Sequence, residues 1–298
     1  MAVSCAIPAM ARDAHRALSA QRAGELLYVG DTGERSLYVF HWPGKGKPLA
    51  RIYVGDPSSI TLDRENNLYV ANLTGHNVEI YGPGGSSPIE TVSRGLYNPT
   101  GVAVAADGTL YVSDNDGWFN IYEPQTHRLK RTVWLADAGQ MGFDRRGYLY
   151  VVYQDYGLYP AIMRYPPHSL KGTQLPIDLN SPMAVEPASA DIAVSFRCCS
   201  YAGIELFAAP SYYNATRCVG GSEFSGQSAL YLAFDPVKPY LFASIPPSSG
   251  QTAEVAVYSY EFAESGNSCN FVSAIEDDIR APAGLAVGPD VGQWGKSL

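Results

Sequence analysis

Short apolar segments separated by polar turns recur along most of this chain at a regular interval. The clearest marker is a Leu-Tyr-Val triplet whose tyrosine is residue 28, 69, 111 and 150, with weaker apolar counterparts centred on residues 193 and 242. A proline keeps the same interval, at residues 43, 83, 124, 166 and 210. Two markers that share one period of about 42 residues indicate a repeat architecture, in which each unit packs on its neighbours.

One unit of the repeat contains four short segments with strand character. The best-defined unit has apolar segments at residues 100–104, 110–113, 119–122 and 128–134, with an Asp107-Gly108 turn between the first two. Four strands in a unit of this length are typical of a propeller blade. Beyond residue 24, no segment keeps the 3.6-residue apolar spacing of a long helix. The pattern therefore predicts an all-β body.

The two ends of the chain predict the number of blades. Residues 282–287 have the pattern of a first, innermost strand, but no second, third or fourth strand follows them. Residues 26–29, 37–40 and 52–54 have the pattern of strands two to four, with no first strand before them. We therefore predict a six-bladed β-propeller over residues 25–290, with four antiparallel strands per blade. The C-terminal innermost strand closes the ring by pairing with the three N-terminal strands, which leaves no open sheet edge.

The unit NPTGVAVAADGTLYVSDNDGWFNIY, residues 98–122, resembles an NHL-type repeat. The shared features are proline, glycine, an apolar strand, an Asp-Gly turn, Leu-Tyr-Val, an acidic residue and a further apolar strand. The resemblance covers roughly residues 25–290 and extends to the gluconolactonase and senescence-marker proteins, the streptogramin lyases and the amidating-enzyme lyase domain. It implies a ligand site on the top face, where the loops after each second strand and between successive blades meet. Propellers carry many unrelated activities, so function has to be argued from the site.

The metal ligands that the resemblance implies are not matched in this chain. Gluconolactonase-like enzymes bind their metal through Glu, Asn and Asp at the middle position of a Pro-x-Gly sequence. A divalent cation needs several such oxygens at one centre. The matching positions here are Ser58, Thr100, Gly139, Met183 and Ala283.

The histidines do not match a lyase site either. We expect His41, His127 and His168 in solvated turns on the bottom face, which leaves only His76 on the top face. A zinc centre needs several imidazoles at one point. The sequence therefore argues against these enzymes, and we assign no metal ligand and no cofactor. A calcium or other divalent cation at the central opening is the alternative.

The candidate binding site consists of polar and aromatic residues in the top-face loops of blades three to five. Aromatic faces beside carboxylates, an amide and a guanidinium suit a small molecule, a glycan or a peptide. Asp114 also belongs to the repeat pattern, so a structural role competes with binding there. The predicted ligand-binding residues are Asp114, Asp116, Trp118, Tyr153, Gln154, Asp155, Tyr156, Arg197 and Tyr201. Two other functions stay open: a metal-dependent, lactonase-like hydrolase or lyase that uses top-face acidic residues such as Asp114 or Asp155, and a structural envelope protein.

Charge excludes one class of partner. The 298 residues include 21 basic and 29 acidic ones, which gives a net charge of −8. Because no run of lysine and arginine is available to contact phosphates, we expect no nucleic-acid partner. We also expect no membrane span and a monomeric protein.

The N-terminal segment and the cysteines predict localisation outside the cytoplasm. Residues 1–24 lie outside the repeat, and Ala9-Met10-Ala11 follows an apolar segment with the small-residue pattern of a signal-peptide cleavage site. We interpret these residues as a signal-peptide remnant and tail of a secreted or periplasmic protein. A short amphipathic helix on the side of the ring is the alternative. Residues 291–298 are expected to form a C-terminal tail.

Cleavage after Ala11 would leave an even number of cysteines, as disulfide-bonded proteins often have. We expect Cys198 and Cys199 at the end of one strand of blade five and Cys218 on another, so that one bond can join these strands. Cys269 has no evident partner in the sequence pattern. The disulfide candidates are Cys198, Cys199, Cys218 and Cys269; buried reduced thiols are the alternative.

Overall fold

The structure, a computed structural model, describes residues 25–44, 46–154, 160–177, 182–198, 201–213, 215–220, 228–248, 252–261, 268–276 and 278–290. Within strands, the side chains of residues 197, 198, 201, 216–220, 261 and 268 are outside this description. The described ranges form six four-stranded antiparallel sheets and contain no helix. The predicted all-β, six-bladed propeller is therefore confirmed.

The blades are numbered I to VI, and the strands of each are given from the innermost outward. Blade I consists of β24 (Pro282–Pro289), β1 (Glu25–Asp31), β2 (Ser36–His41) and β3 (Ala50–Tyr53). Blade II consists of β4 (Pro57–Leu62), β5 (Leu68–Asn72), β6 (Asn77–Tyr81) and β7 (Glu90–Val92). Blade III consists of β8 (Pro99–Val104), β9 (Leu110–Asp114), β10 (Trp118–Tyr122) and β11 (Leu129–Trp134).

The second half of the ring repeats this order. Blade IV consists of β12 (Met141–Phe143), β13 (Leu149–Tyr153), β14 (Ala161–Tyr165) and β15 (Thr173–Gln174). Blade V consists of β16 (Met183–Val185), β17 (Ile192–Cys198), β18 (Tyr201–Phe207) and β19 (Ala215–Gly220). Blade VI consists of β20 (Tyr231–Phe234), β21 (Tyr240–Ile245), β22 (Glu254–Glu261) and β23 (Ser268–Ile275).

The ring closes within blade I, as the chain ends predicted. β24 pairs antiparallel with β1, with Val287 opposite Leu27 and Ala286 opposite Tyr28. Because β24 comes from the C-terminal end and β1 from the N-terminal end, this pairing joins the two halves of one sheet. The two ends of the chain therefore complete blade I, which packs between blades VI and II.

The core lies between neighbouring blades, where the repeated apolar residues face each other. One cluster packs Leu26 and Leu37 of blade I against Ile60 and Val70 of blade II. The tyrosine of the triplet is buried in several blades, for example Tyr150 at 0% exposure. Burial of this kind contributes roughly 25 cal/mol per Å² of apolar surface. It explains why the triplet marks the repeat so clearly in the sequence.

One histidine differs from its expected environment. His127 lies in the predicted bottom-face turn between β10 and β11, but its side chain is only 8% exposed. Its Nδ1 lies 2.9 Å from Glu90 Oε2, and its ring packs edge-on against Tyr69. His127 therefore fills the junction between blades II and III, and the prediction of a solvated residue is wrong. The sequence position of His127 in a turn did not predict that its imidazole packs against the neighbouring blade.

No helix in the described part of the chain is long and apolar enough to cross a membrane. The predicted signal-peptide remnant and tail at residues 1–24 and the predicted C-terminal tail at residues 291–298 lie outside the described residues.

Candidate functional site

Asp114 joins two top-face loops of blade III. Its side chain is 2% exposed, and its Oδ2 accepts a hydrogen bond of 2.6 Å from the backbone N–H of Tyr97. Its Oδ1 accepts hydrogen bonds from the N–H groups of Asn98 at 3.0 Å and Asp116 at 3.3 Å. The carboxylate therefore fixes the loop before β8 against the loop between β9 and β10.

The same position has the same role in blades I and II. Asp31 accepts hydrogen bonds from the backbone of Arg280 at 2.6 Å and Ala281 at 3.2 Å. Asn72 accepts hydrogen bonds from Asp56 at 3.2 Å and Gly75 at 2.9 Å through their N–H groups. We conclude that the polar residue ending the second strand is a loop anchor in these three blades.

The top face contains a hollow of about 490 Å³ around the ring axis. Its lining comes from the starts of the inner strands and from the top loops of five blades, II to VI. Asp137 is the one charged side chain among the described residues that line it. The remaining lining residues are Ser58, Thr100, Asn115, Gly139, Gln140, Val152, Tyr153, Gln154, Pro160, Pro182, Leu230 and Tyr231.

Blade III presents two exposed tryptophans at the top ends of its two outer strands. Trp118 and Trp134 lie opposite each other on β10 and β11, with ring centroids 4.7 Å apart and an interplanar angle of 80°. They are 41% and 53% exposed. Gly117 has a φ of +88°, and a Cβ at this position would lie 2.7 Å from the Trp134 ring. The glycine therefore supplies both the turn and the space that lets Trp134 lie against the loop.

The predicted ligand-binding residues divide into three groups. Tyr153 and Gln154 line the hollow, and the Tyr153 hydroxyl donates a 2.8 Å hydrogen bond to Gln174 Oε1. Asp116 lies in the adjoining β9–β10 loop of blade III and Trp118 begins β10, while Asn115, which precedes Asp116, lines the hollow.

The third group is not described at the level of side chains. The backbones of Arg197 and Tyr201 lie at the top end of the β17–β18 hairpin, where Arg197 pairs with Ala202. Asp155 and Tyr156 lie outside the described residues. These four contributions to a binding site stay predictions.

The floor of the hollow is a cross-channel contact, which we call the plug, formed by Ser59, Gln140 and Tyr231. The Tyr231 hydroxyl of blade VI lies 2.7 Å from Ser59 Oγ of blade II. Gln140 Nε2 of blade IV donates a 2.8 Å hydrogen bond to the carbonyl oxygen of Leu232 in blade VI. Burial raises the pKa of Tyr231, so the phenol is the form that the channel holds. Gln140 and Tyr231 line both the hollow and a second cavity of about 480 Å³ in the lower channel.

The plug was missed by sequence reasoning, although the repeat carried a sign of it. The glycine of the Pro-x-Gly sequence is kept at Gly101 and Gly284, but Ser59, Gln140 and Tyr231 replace it in blades II, IV and VI. At Gly101 a Cβ would lie 2.3 Å from the Gly139 carbonyl oxygen, so close packing requires glycine at this position. A large polar residue at such a position breaks the repeat and indicates a special contact.

Two further predictions concern metals and cysteines. Within the described ranges, no group of three or more His, Cys, Asp or Glu side chains is placed to hold a metal ion. Cys269 on β23, a disulfide candidate for which the sequence pattern gave no evident partner, is disulfide-bonded. Cys198 and Cys218 lie on β17 and β19 as predicted. Their side chains, and all of Cys199, are outside the description, so the pairing stays a prediction.

Comparison with known proteins identifies the architecture. No protein-family model matches the chain, and no curated protein matches its sequence. A chain from a crystal structure of a nidogen/laminin complex superposes with a TM-score of 0.70 at 13% identity, covering 90% of this chain and 99% of its own length. A candidate 6-phosphogluconolactonase from Bacteroides uniformis superposes with a TM-score of 0.58 at 13% identity, covering 88% of this chain and 84% of its own. Likeness at this identity establishes the propeller fold and leaves function to the site.

Proposed function

We propose that this protein is a secreted, NHL-like recognition propeller that binds a glycan in the hollow on its top face. The observation that carries the proposal is the combination of a hollow lined mostly by uncharged polar groups with an exposed tryptophan pair on the same two loops. Asn115 is three residues from Trp118, and Asp137 is three residues from Trp134. The tryptophans and the hollow therefore belong to one surface.

The chemistry of the lining favours an uncharged, hydroxyl-rich ligand over a metal ion or a strong acid. A single described carboxylate, Asp137, lines the hollow, beside amides, hydroxyls and backbone groups. Such groups both donate and accept hydrogen bonds, as sugar hydroxyls require. A hollow of this volume is within the usual range for small-ligand sites, about 300–1,000 Å³.

The tryptophan pair supplies the apolar part of such a site. An indole ring offers a flat apolar face with a single donor, which suits the C–H face of a sugar ring beside its hydroxyl groups. The two rings are nearly perpendicular, so together they form a corner on the top face of blade III. Such a corner can contact a sugar ring from two sides. It therefore favours a chain of sugars over a small ion.

The proposed secretion rests on the N-terminal pattern and on Cys269. A disulfide forms and persists mainly in oxidising compartments, and Cys269 is disulfide-bonded. The nidogen/laminin structure is a complex between proteins. The test below therefore also includes peptides, because a peptide or protein is the alternative ligand for the present chain.

A glycan array followed by calorimetry tests the proposal. We expect wild-type protein to bind a glycan, and Trp118→Ala and Trp134→Ala each to weaken that binding by about tenfold or more, as removal of a buried aromatic contact does. Tyr213→Ala is the matched control, because Tyr213 is 76% exposed and lies in the bottom-face loop between β18 and β19. Equal loss in Tyr213→Ala, or no effect of either tryptophan, would place the ligand elsewhere. Binding of peptides but no glycan would refute the ligand class.

A further inference from the structure

The lower half of the channel is a second cavity, separated from the top hollow by the plug. It has a volume of about 480 Å³ and opens toward the bottom face. Every blade contributes an apolar residue of its inner strand or of the hairpin that follows. These are Leu62, Val104, Phe143, Val185, Phe234 and Val287. We call this cavity the lower chamber.

Gln140, which lines the lower chamber at the plug, carries an unmet hydrogen-bond acceptor. Gln140 Nε2 is bonded to Leu232, but its Oε1 is buried and has no hydrogen-bond partner among the described residues. A buried acceptor without a donor is costly, and native structures rarely leave one unexplained. A ligand that carries an O–H or N–H group would satisfy it.

The mouth of the chamber carries two guanidinium groups that lack a carboxylate partner in the described part of the chain. Arg64 lines the chamber and an adjoining bottom-face cleft of about 460 Å³, and no hydrogen bond or ion pair to its side chain occurs there. Arg145 lines the cleft and donates only to the uncharged Pro236 carbonyl oxygen, at 3.0 Å. By contrast, Arg146 lies 3.0 Å from the buried Asp144 carboxylate.

The carboxylates that line the chamber and the cleft have partners within the chain. Glu25, which lines the chamber, lies 2.6 Å from Lys238 Nζ. Asp63 accepts hydrogen bonds from Asn67 at 2.8 Å and from the Tyr69 hydroxyl at 3.2 Å. Asp107 accepts one from the Thr109 N–H at 3.0 Å. Guanidinium groups that are not neutralised in this way bind carboxylate, phosphate or sulfonate groups in two-pronged fashion.

We propose that the lower chamber is a second binding site, for an elongated organic anion with an apolar ring system. The anionic group lies at Arg64 and Arg145, the rings fill the chamber, and a donor group reaches Gln140 Oε1. From Ser59 at the plug to Leu62 at the end of β4 the strand advances three residues, or roughly 10 Å at 3.3 Å per residue, and Arg64 follows in the turn. This distance suits two or three fused or linked rings. The site is on the opposite side of the plug from the glycan hollow, so neither proposal depends on the other.

The probe for this site is 6-anilinonaphthalene-2-sulfonate, which combines three aromatic rings with an N–H group and a sulfonate at opposite ends of the naphthalene. We expect saturable fluorescence enhancement with one site per folded chain, and a Kd raised about tenfold or more by Arg64→Gln, since charge-assisted hydrogen bonds are among the stronger ones. Arg131→Gln, on the exposed outer strand of blade III, is the matched control and should leave the Kd unchanged. The neutral analogue N-phenyl-2-naphthylamine should bind wild type and Arg64→Gln equally.

A second variant tests the chamber itself. Thr61 is half-buried on β4 and lines the chamber, so Thr61→Phe should reduce the binding of both dyes by about tenfold or more. Near-UV circular dichroism checks that each variant keeps its native packing, because this dye also binds partly unfolded protein. Equal Kd values for Arg64→Gln and Arg131→Gln, or full binding by folded Thr61→Phe, would overturn the proposal. If Thr61→Phe does not fold, the two arginine variants decide the question.

Discussion

Replacing Tyr231 by phenylalanine tests whether the plug holds the ring together. The substitution removes only the hydroxyl that lies 2.7 Å from Ser59 Oγ, where both side chains are buried. The aromatic ring stays, so no cavity larger than one oxygen atom is created. Ser59 Oγ also accepts a hydrogen bond of 3.2 Å from the Val102 N–H, which should hold Ser59 in place.

The expected cost follows from the burial of this pair. A net hydrogen bond contributes about 1 kcal/mol, and leaving a buried polar partner unsatisfied adds to that, so we expect a loss of about 1–2 kcal/mol. For a domain of this size, 1 kcal/mol lowers the melting temperature by about 2–4 °C. Tyr231→Phe should therefore melt about 2–8 °C below wild type. In urea the midpoint should fall without a change in the m-value.

A double-mutant cycle with Ser59→Ala isolates the contact across the channel. Groups in direct contact couple by about 0.5–3 kcal/mol, so the double variant should be less destabilised than the sum of the single ones. Tyr213→Phe makes the same chemical change at a residue that is 76% exposed, and should change stability by less than about 0.5 kcal/mol. Additive single effects, or a Tyr231→Phe variant as stable as Tyr213→Phe, would refute the role of the plug.

Two further predictions concern the loop anchors and the buried tyrosines. Asp114→Asn should lower the unfolding free energy by about 1–3 kcal/mol, because it weakens the buried hydrogen bonds to backbone amides. Asp116→Asn, on the exposed loop, is the control and should lower it by less than about 0.5 kcal/mol. Equal urea midpoints for the two variants would contradict the anchor role of Asp114. Burial, and then the charge of the Tyr153 phenolate, raises the pKa of Tyr165 to about 12 from 10.0, and burial raises that of Tyr231. The folded state keeps these protons after the unfolded chain releases them, so above pH 10 the unfolding free energy should fall by up to about 1.4 kcal/mol per pH unit for each such tyrosine. Melting temperature and tyrosinate absorbance should therefore change together in alkaline titration, and ionisation of all tyrosines near pH 10 without unfolding would contradict this burial.

The fold could be predicted from the sequence because its information is local and repeated. Each Leu-Tyr-Val strand is short, apolar and followed by a turn, and the same pattern recurs in every blade. The predicted segment 100–104 corresponds to Pro99–Val104, and 119–122 corresponds to Trp118–Tyr122. Ring closure was predictable because the strands missing at one end of the chain were present at the other.

The site was only partly predictable, because its decisive contacts join residues far apart in sequence. Ser59 and Tyr231 are 172 residues apart, and Gln140 and Leu232 are 92 apart. No turn or strand pattern shows that such residues meet at the ring axis. Loop position placed Tyr153 and Gln154 on the top face, where they line the hollow, and the repeat pattern at Asp114 indicated the structural role that its bonds to backbone amides show.

The arginines of the lower chamber show the same limit. Arg64 and Arg145 follow Asp63 and Asp144 in equivalent hairpins, where the aspartates match the turn chemistry of the repeat. That the two arginines lie close to the opening of the lower chamber follows only from the closure of the blades into a ring. Sequence reasoning that placed ligands on the top face gave no reason to examine the bottom hairpins.

The most direct test of the central claim is hydrogen exchange of the glycan-bound protein. Bound glycan should slow amide exchange in residues 114–118 and 134–140, which line or flank the top hollow, and leave the bottom hairpin at residues 144–148 unchanged. Protection confined to that hairpin, or no protection at the tryptophan loops, would show that the top hollow is not the glycan site.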